Sequence, residues 1–316
     1  MVSGTNSRFL QKGVALRSVY EMVEPNLIWM DYSKPIREAK ADFIYSYNSA
    51  NASSDSKKKT PPLAQMGAKF PEVDKSVKSV GSGLTESRGF QMRIRKETMN
   101  STSAPNFIMD CYEYAGFLLA EKINTDMLTA ITGGATTPTW TPTAVWSDAS
   151  AAPIDDLITF CNAMLREGYP YRMTDFFVNQ TGYLELQQYL ASVDVTDMKQ
   201  RMYGIPTINQ DTITVPVVQA DVHRVMSGMT DGYLLGLDSM HKGVEWHYTI
   251  DPDFSTTKVT YKTVIDTKEV TKTANNVGIH FDTWVEQDSK DTILQFWYDG
   301  VAKVTQAYAI GYDSGI

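Results

Sequence analysis

The chain has 316 residues, of which 42% are hydrophobic and 21% are charged, as is typical of a folded protein with one large or two ordinary domains. No apolar run approaches the roughly 18 residues that a membrane-spanning helix needs, so we expect no membrane association. The net charge of −8 argues against a protein whose main task is to grip nucleic acid, because phosphate contacts need a basic surface.

The N-terminal quarter is predicted to form an arm followed by a long hairpin. Residues 1–30 form the arm, with a short helix at about 16–23 that Pro25 ends. Alternating apolar residues at 41–47 indicate a strand, and the polar stretch after it includes Lys57, Lys58 and Lys59. A polar excursion of this length is uncommon in a compact domain and is usually functional or disordered. A strand-in, strand-out hairpin fits, and a disordered linker is the alternative.

A long amphipathic helix is predicted at residues 106–131. It follows a turn at 81–83 and a strand at 90–95, and Gly133 and Gly134 end it. Its apolar residues recur at steps of three and four, which places them on one broad face. These are Phe107, Ile108, Cys111, Ala115, Leu118, Leu119, Ile123, Met127, Leu128 and Ile131.

The rest of the chain mixes helices and strands without a regular alternation. Helices are predicted from Pro153 to Arg166 and at 183–190, with a short buried strand at 176–179 between them. Asp299-Gly300 is expected to form a turn between the last two strands. The remaining strands are expected at 205–208, 213–218, 232–237, 244–250, 258–264, 279–285, 292–298 and 301–310. This order predicts an α+β fold and argues against a Rossmann or barrel enzyme.

Residues that would carry catalysis or bind a metal are not arranged in any known pattern. None of the four histidines, His223, His241, His247 and His280, has the spacing of a zinc site or a metalloprotease helix. Cys111 and Cys161 lie on apolar helix faces and are expected to be small buried hydrophobes. We therefore expect no catalytic residues, no metal, no cofactor and no enzymatic activity, although a site whose residues converge only in space would escape this reasoning.

Taken in order, these segments resemble the major capsid protein of tailed double-stranded DNA viruses, which has the Hong Kong 97-type capsid fold. The resemblance spans nearly the whole chain and is carried by the order of elements. The segment of residues 106–131, with Ala120-Glu121-Lys122-Ile123 within it, resembles the spine helix of that fold. The other segments resemble an N-arm (1–30), an E-loop (31–72), a P-domain (73–134), an A-domain (135–275) and return strands to the P-domain (276–316).

The resemblance implies a structural protein of the virion capsid, assembled in the host cytoplasm. Copies would form the hexamers and pentamers of an icosahedral shell that encloses double-stranded DNA without sequence-specific binding. The E-loop would lie over the adjacent subunit and the N-arm would clasp another. Scaffold, portal and decoration proteins are the separate partners that it suggests.

Six residues of the hairpin are candidates for contacts between subunits. Phe43, Tyr45 and Tyr47 are aromatic, and aromatic side chains are enriched at protein interfaces. Lys57, Lys58 and Lys59 form the basic cluster, for which a solvated loop tip, a neighbour's acidic patch and nucleic acid are the three interpretations.

Three competing functions are compatible with the same sequence. An encapsulin-type compartment resembles the same fold but holds cargo enzymes, and the large E-loop favours the virus only mildly. The second competitor is an α+β enzyme of an unrecognised type. The third is a tail or baseplate protein, which would form rings or tubes instead of spheres.

Overall fold

A computed structural model describes most of the chain, which divides into two compact units. The described residues are 10–47, 79–138, 140–166, 171–192, 207–209, 211–225, 228–250, 260–265, 268–273 and 277–316. The first unit consists of the described residues within Met1–Phe43, Ser82–Thr129 and Glu245–Lys303. The second consists of those within Ile44–Gly81, Ala130–Val244 and Val304–Ile316.

The described elements are five α-helices, fifteen strands and two short 3-10 turns. The helices are α1 (Lys12–Val23), α2 (Lys96–Met99), α3 (Ala104–Gly134), α4 (Pro153–Arg166) and α5 (Gln180–Ser192), and the 3-10 turns are Glu24–Asn26 and Ala307–Ala309. The strands are β1 (Ser33–Glu38), β2 (Asp42–Tyr47), β3 (Ser79–Leu84), β4 (Glu86–Ile94), β5 (Asp175–Asn179), β6 (Thr207–Asn209), β7 (Thr212–Val215), β8 (Ala220–Val225), β9 (Tyr233–Leu237), β10 (Val244–Thr249), β11 (Thr260–Ile265), β12 (Lys268–Thr273), β13 (Ile279–Val285), β14 (Thr292–Val304) and β15 (Ile310–Ser314). Among the described residues, no helix is both long and apolar enough to cross a membrane.

The first unit is built around β14, a strand of 13 residues. It pairs with β10, with β13 and with β4, and β1 extends the sheet beyond β10. Alternate side chains of β14, including Phe296 and Tyr298, are buried. Tyr112 of α3 contacts Phe281 and Phe296 edge-on, with ring centroids 5.8 and 5.9 Å apart. The long helix therefore packs on one face of this sheet, and the alternation of β14 decides which face.

Helix α1 lies close to α3 because a glycine of α3 leaves room for it. The buried residues of α1 include Ala15, Val19 and Val23, which recur at steps of four. Opposite them, a Cβ built on Gly116 would lie 2.6 Å from Met22 Cβ and 3.1 Å from the Val19 carbonyl oxygen. The described part of the predicted N-arm thus packs inside its own unit.

Replacing Gly116 with alanine is expected to destabilise the protein, although alanine is the better helix former. Intrinsic propensity alone favours alanine by about 0.5–1 kcal/mol. The added Cβ would force α1 away from α3, and overpacking of this kind costs about 1–3 kcal/mol. Gly133→Ala is the matched control, because a Cβ there meets nothing within 4 Å. Chemical denaturation should show a loss of stability for Gly116→Ala alone; equal stability of both variants would contradict the close approach.

The second unit is organised by a six-stranded sheet in the order β15-β9-β5-β8-β7-β6. The register is defined for five pairs of neighbouring strands in this sheet. Of these five pairs, β5 with β8 is parallel and the other four are antiparallel. All five residues of β5 are buried: the apolar Phe176, Phe177 and Val178 and the polar Asp175 and Asn179 at its ends. The core packed around it draws on α4, α5 and the sheet and includes Trp140, Trp146, Leu157, Phe160, Met164, Phe176, Val178, Tyr183, Leu186, Ile213, Val222 and Leu234.

Two predicted turns are wrong, and the reason is the same in both. Gly81 and Gly83 lie within β3, and Asp299-Gly300 lies within β14, which pairs with β4 through Gly300. In each case an aromatic ring covers the glycine, so glycine marks a close approach. The strand predicted at 213–218 ends earlier, at Val215, because residues 216–219 form a turn. Strands β1, β3, β8, β12 and β15 were not predicted.

Other expectations agree with the structure. Helices and strands are mixed, which confirms the α+β class, and α3 contains the whole predicted helix with a few more residues at each end. Cys111 and Cys161 form no disulfide, as expected, but they are half-buried, whereas full burial was expected. The five-segment division of the chain stays a prediction.

Candidate assembly surfaces

The hairpin β2–β3 has two chemically different faces. On one face, aromatic rings of β2 lie over the glycines of β3: a Cβ built on Gly83 would be 2.5 Å from Phe43 Cζ, and one on Gly81 would be 2.8 Å from Tyr45 Cζ. Alternation in a strand places Phe43, Tyr45 and Tyr47 on this face together. The Tyr45 and Tyr47 rings have centroids 5.7 Å apart. This aromatic face therefore covers the hairpin's own backbone.

Phe43 is also held from its other side. Its ring stacks on the His247 ring with centroids 4.1 Å apart and 13° between planes, and Phe43 is only 6% exposed. His247 is fixed in turn, because its Nδ1 lies within hydrogen-bond distance, 2.7 Å, of Glu38 Oε1. The root of the hairpin is thus anchored inside the first unit.

The opposite face of the hairpin carries exposed aliphatic side chains. Ile44 is 76% exposed, and Val80 and Leu84 are each 65% exposed. Sequence reasoning chose the aromatic residues and missed these three. The signal was present in the alternation, which places Ile44 opposite Phe43 and Tyr45. Lys57, Lys58 and Lys59 lie outside the described residues.

A second apolar surface lies along α3. Phe107, Tyr114 and Phe117 are 42%, 59% and 50% exposed, and spacings of seven and three residues bring them to one side of the helix. Half-buried Cys111 and Leu118 lie on the same side. We call Phe107, Tyr114 and Phe117 the aromatic strip. The prediction that Phe107 belongs to the buried face is therefore wrong, since α3 is apolar on its core side and on this side too.

The second unit contains a network of carboxylate, imidazole and hydroxyl groups. Asp175, Asp221 and His223 form the cluster, within the described part of the chain, whose donor atoms are close enough to hold a metal ion. These groups are already hydrogen-bonded: His223 Nε2 lies 2.9 Å from Asp175 Oδ1, and Thr214 donates to Asp221 over 2.6 Å. His223 Nδ1 lies 3.3 Å from the Thr212 hydroxyl. The arrangement joins β5, β7 and β8.

Acid should weaken the second unit through Asp175. Burial raises the pKa of this carboxyl, but hydrogen bonds from His223, Thr174 and Ser239 outweigh burial and leave the pKa below its usual value. A depressed carboxyl pKa stabilises the fold above the unfolded value of about 3.9 and loses that contribution as the pH falls through the folded value. Asp175→Asn should cost about 1.5–3 kcal/mol at pH 7 and flatten the stability profile below about pH 4.

Denaturation midpoints between pH 2.5 and 7 measure this effect. Asp148→Asn serves as the surface control: hydrogen bonds from Ser150 lower the pKa of this carboxyl too, but Asp148 is fully exposed, so solvent screens the effect on stability. A profile for Asp175→Asn that parallels the unsubstituted chain would contradict the role given to this network.

Comparison with known proteins identifies the fold. No protein-family model and no curated protein matches the sequence. Among solved structures, the chain is similar to a virus-like particle from Pyrococcus furiosus, with a TM-score of 0.53, 7% identity, and 93% of this chain and 95% of that chain covered.

Two further structures have the same arrangement. They are the holo-SrpI encapsulin complex from Synechococcus elongatus PCC 7942 and the capsid of an empty GTA particle. Their TM-scores are 0.51 and 0.50, their identities 9% and 11%, and they cover 93% and 91% of this chain and 88% and 89% of their own. At sequence identities this low, the similarity shows a shared fold only. The chain has the Hong Kong 97-type capsid fold, as the order of its elements predicted.

Proposed function

We propose that this chain is a major capsid protein, whose copies form the hexamers and pentamers of an icosahedral shell around double-stranded DNA. The observation that carries the proposal is the extent of the fold: similarity to a virus-like particle covers 93% of this chain and 95% of that one. The role is structural, and no catalytic step is part of it. Its place is the virion capsid after assembly in the host cytoplasm.

Two exposed surfaces of the chain support assembly. A cyclic or shell-forming interface joins different patches on neighbouring copies, so each copy needs at least two apolar surfaces that it leaves uncovered. The hairpin β2–β3 and the aromatic strip of α3 are two such surfaces. The hairpin of one copy would lie over an adjacent copy, and that contact would stabilise a two-stranded ribbon that is marginal alone. Scaffold, portal and decoration proteins are further partners of such a shell.

Electron microscopy of the purified full-length chain tests the proposal. Negative staining should show round shells or capsomer rings, and light scattering should give masses far above the 35.4 kDa of one chain. Nuclease-protected DNA should accompany particles made during infection. A chain that stays a monomer at every concentration and salt condition, without a scaffold and with one supplied, would overturn the proposal.

An encapsulin-like compartment is the second candidate. The similarity to an encapsulin complex has a TM-score of 0.51 over 93% of this chain, which is almost as extensive as the similarity to the virus-like particle. The contents of the particles distinguish the two functions. Protein cargo that co-purifies with shells free of nucleic acid would favour the compartment, and packaged DNA would favour the capsid.

A further inference from the structure

Two carboxylates and an imidazole of the second unit come together from distant parts of the sequence. The parallel pairing of β5 with β8 sets Asp175 opposite Asp221, and His223 lies two residues further along β8. Paired residues, and alternate residues of one strand, share a face of the sheet, so all three side chains lie on the same face. One donor atom from each lies within 4.8 Å of the other two.

We propose that Asp175, Asp221 and His223 bind one divalent transition-metal ion of the zinc or manganese class, which ties β5 to β8. An imidazole nitrogen with two carboxylate oxygens suits such ions, whereas Ca²⁺ and Mg²⁺ prefer oxygen ligands alone. Metal–ligand bonds of about 2.0–2.2 Å place neighbouring ligand atoms roughly 2.8–3.6 Å apart. His223 Nε2 and Asp175 Oδ1, 2.9 Å apart, already have that separation. The site goes beyond the proposed function, because a single chain contains all of it.

The charge balance of the cluster favours a cation with two positive charges. Thr214 donates to Asp221 Oδ1 over 2.6 Å, and among the described residues nothing donates to Asp221 Oδ2. Within the same part of the chain, no lysine or arginine forms an ion pair with Asp221. Two carboxylates this close repel each other, and a protonated His223 would neutralise only one of them. A divalent ion neutralises both and satisfies the open oxygen.

The groups around the three ligands hold them in the orientation that metal binding needs. A metal-bound imidazole directs the lone pair of one nitrogen to the ion and donates a hydrogen bond from the other. The Thr212 hydroxyl lies 3.3 Å from His223 Nδ1 and accepts that bond. The Phe177 ring stacks on the imidazole with centroids 5.0 Å apart and 23° between planes. Thr174 donates to Asp175 Oδ2 over 2.7 Å, which keeps Oδ1 towards His223.

Metal binding by the purified full-length chain is the first test. The chain is treated with EDTA, dialysed and titrated with Zn²⁺ in a calorimeter. One ion per chain should bind with a Kd of about 1 µM or lower. Zn²⁺ at about 100 times this Kd should raise the unfolding temperature by about 5–10 °C. Binding of neither Zn²⁺ nor Mn²⁺ would overturn the inference and leave the proposed function intact.

Substitutions locate the bound ion. Asp221→Asn keeps an oxygen that accepts from Thr214 but removes the charge, and His223→Gln removes the nitrogen ligand. Each should weaken Zn²⁺ binding by about tenfold or more and abolish the rise in unfolding temperature. His241→Gln is the matched control, because His241 Nδ1 lies 2.7 Å from Asp238 Oδ2 in a separate histidine–carboxylate pair. Unchanged binding in both cluster variants, or a loss in the control alone, would overturn the inference.

Chemical modification of the unsubstituted chain gives an answer even if the variants fold poorly. Diethyl pyrocarbonate acylates histidine at a ring nitrogen that is neutral and accessible, and mass spectrometry of peptides reports each histidine separately. Bound Zn²⁺ should slow modification of His223 by about tenfold or more, since the metal occupies Nε2, and should leave His241 unaffected. Equal rates at His223 with and without Zn²⁺ would show that the ion is not bound there and would overturn the inference.

Discussion

Replacing Trp246 with alanine is expected to cost about 3–5 kcal/mol of unfolding free energy, because it empties one of the largest buried sites of the first unit. Trp246 is fully buried, its indole N–H donates to the Val277 carbonyl over 3.2 Å, and its ring covers Gly300 in β14. Removal leaves a cavity and a buried carbonyl that has lost this donor. Equilibrium denaturation in urea or guanidinium chloride measures the loss.

A double-mutant cycle with Gly300 shows whether the cost arises from this contact. Gly300→Ala alone should also destabilise, since the new Cβ would overlap the Trp246 ring. In the Trp246→Ala background the same methyl group enters the cavity and should cost nothing or stabilise the fold. Two losses that simply add would mean that the residues are not in contact.

The second large effect is expected on assembly, at the aromatic strip. Phe117→Asp places a charge at the end of an apolar surface that is 50% exposed in the free chain, so the monomer should keep its stability. If a neighbour covers this position, burial of an unpaired carboxylate opposes every copy of the contact. A loss of about 1.4 kcal/mol per contact already weakens each association tenfold. The yield of particles should therefore fall at least tenfold.

Phe117→Leu is the matched control for this prediction, since it keeps an apolar side chain at the same position. Particle counts by electron microscopy and sedimentation should distinguish the two variants, with thermal unfolding confirming that both are folded. Shells of normal yield from Phe117→Asp would mean that the aromatic strip faces solvent in the assembled state.

Local rules predicted the helices well. Pro153 and the first-turn acids Asp155 and Asp156 begin α4 where expected, and the long apolar periodicity located α3. In both cases the signal comes from residues within the same element, through capping, helix dipole and repeat. The buried strand β5 was found for a similar reason, since Phe176, Phe177 and Val178 form a short apolar run.

The sequence predictions failed where the role of a residue depends on a contact with a residue far away in the sequence. Gly83 and Gly300 have turn-like chemistry, but they are strand residues that accommodate Phe43 and Trp246. The exposure of Phe107 was missed because a helix that is apolar on two sides has no single periodic face. The aliphatic face of the hairpin was overlooked because aromatic residues are the usual interface markers. Only the structure shows that the Phe43 ring already stacks on the His247 ring.

The pairing of β4 with β14 has a consequence for synthesis of the chain. Residues 86–94 find their partners only at 292–300, about 200 positions later. At roughly 5–20 residues per second, a ribosome needs on the order of 10–40 s to deliver the missing strand. Until then α3 lacks the sheet on which it packs, so a nascent chain presents both apolar sides of that helix at once. We therefore expect the chain to depend on chaperones during translation, which pulse labelling can measure.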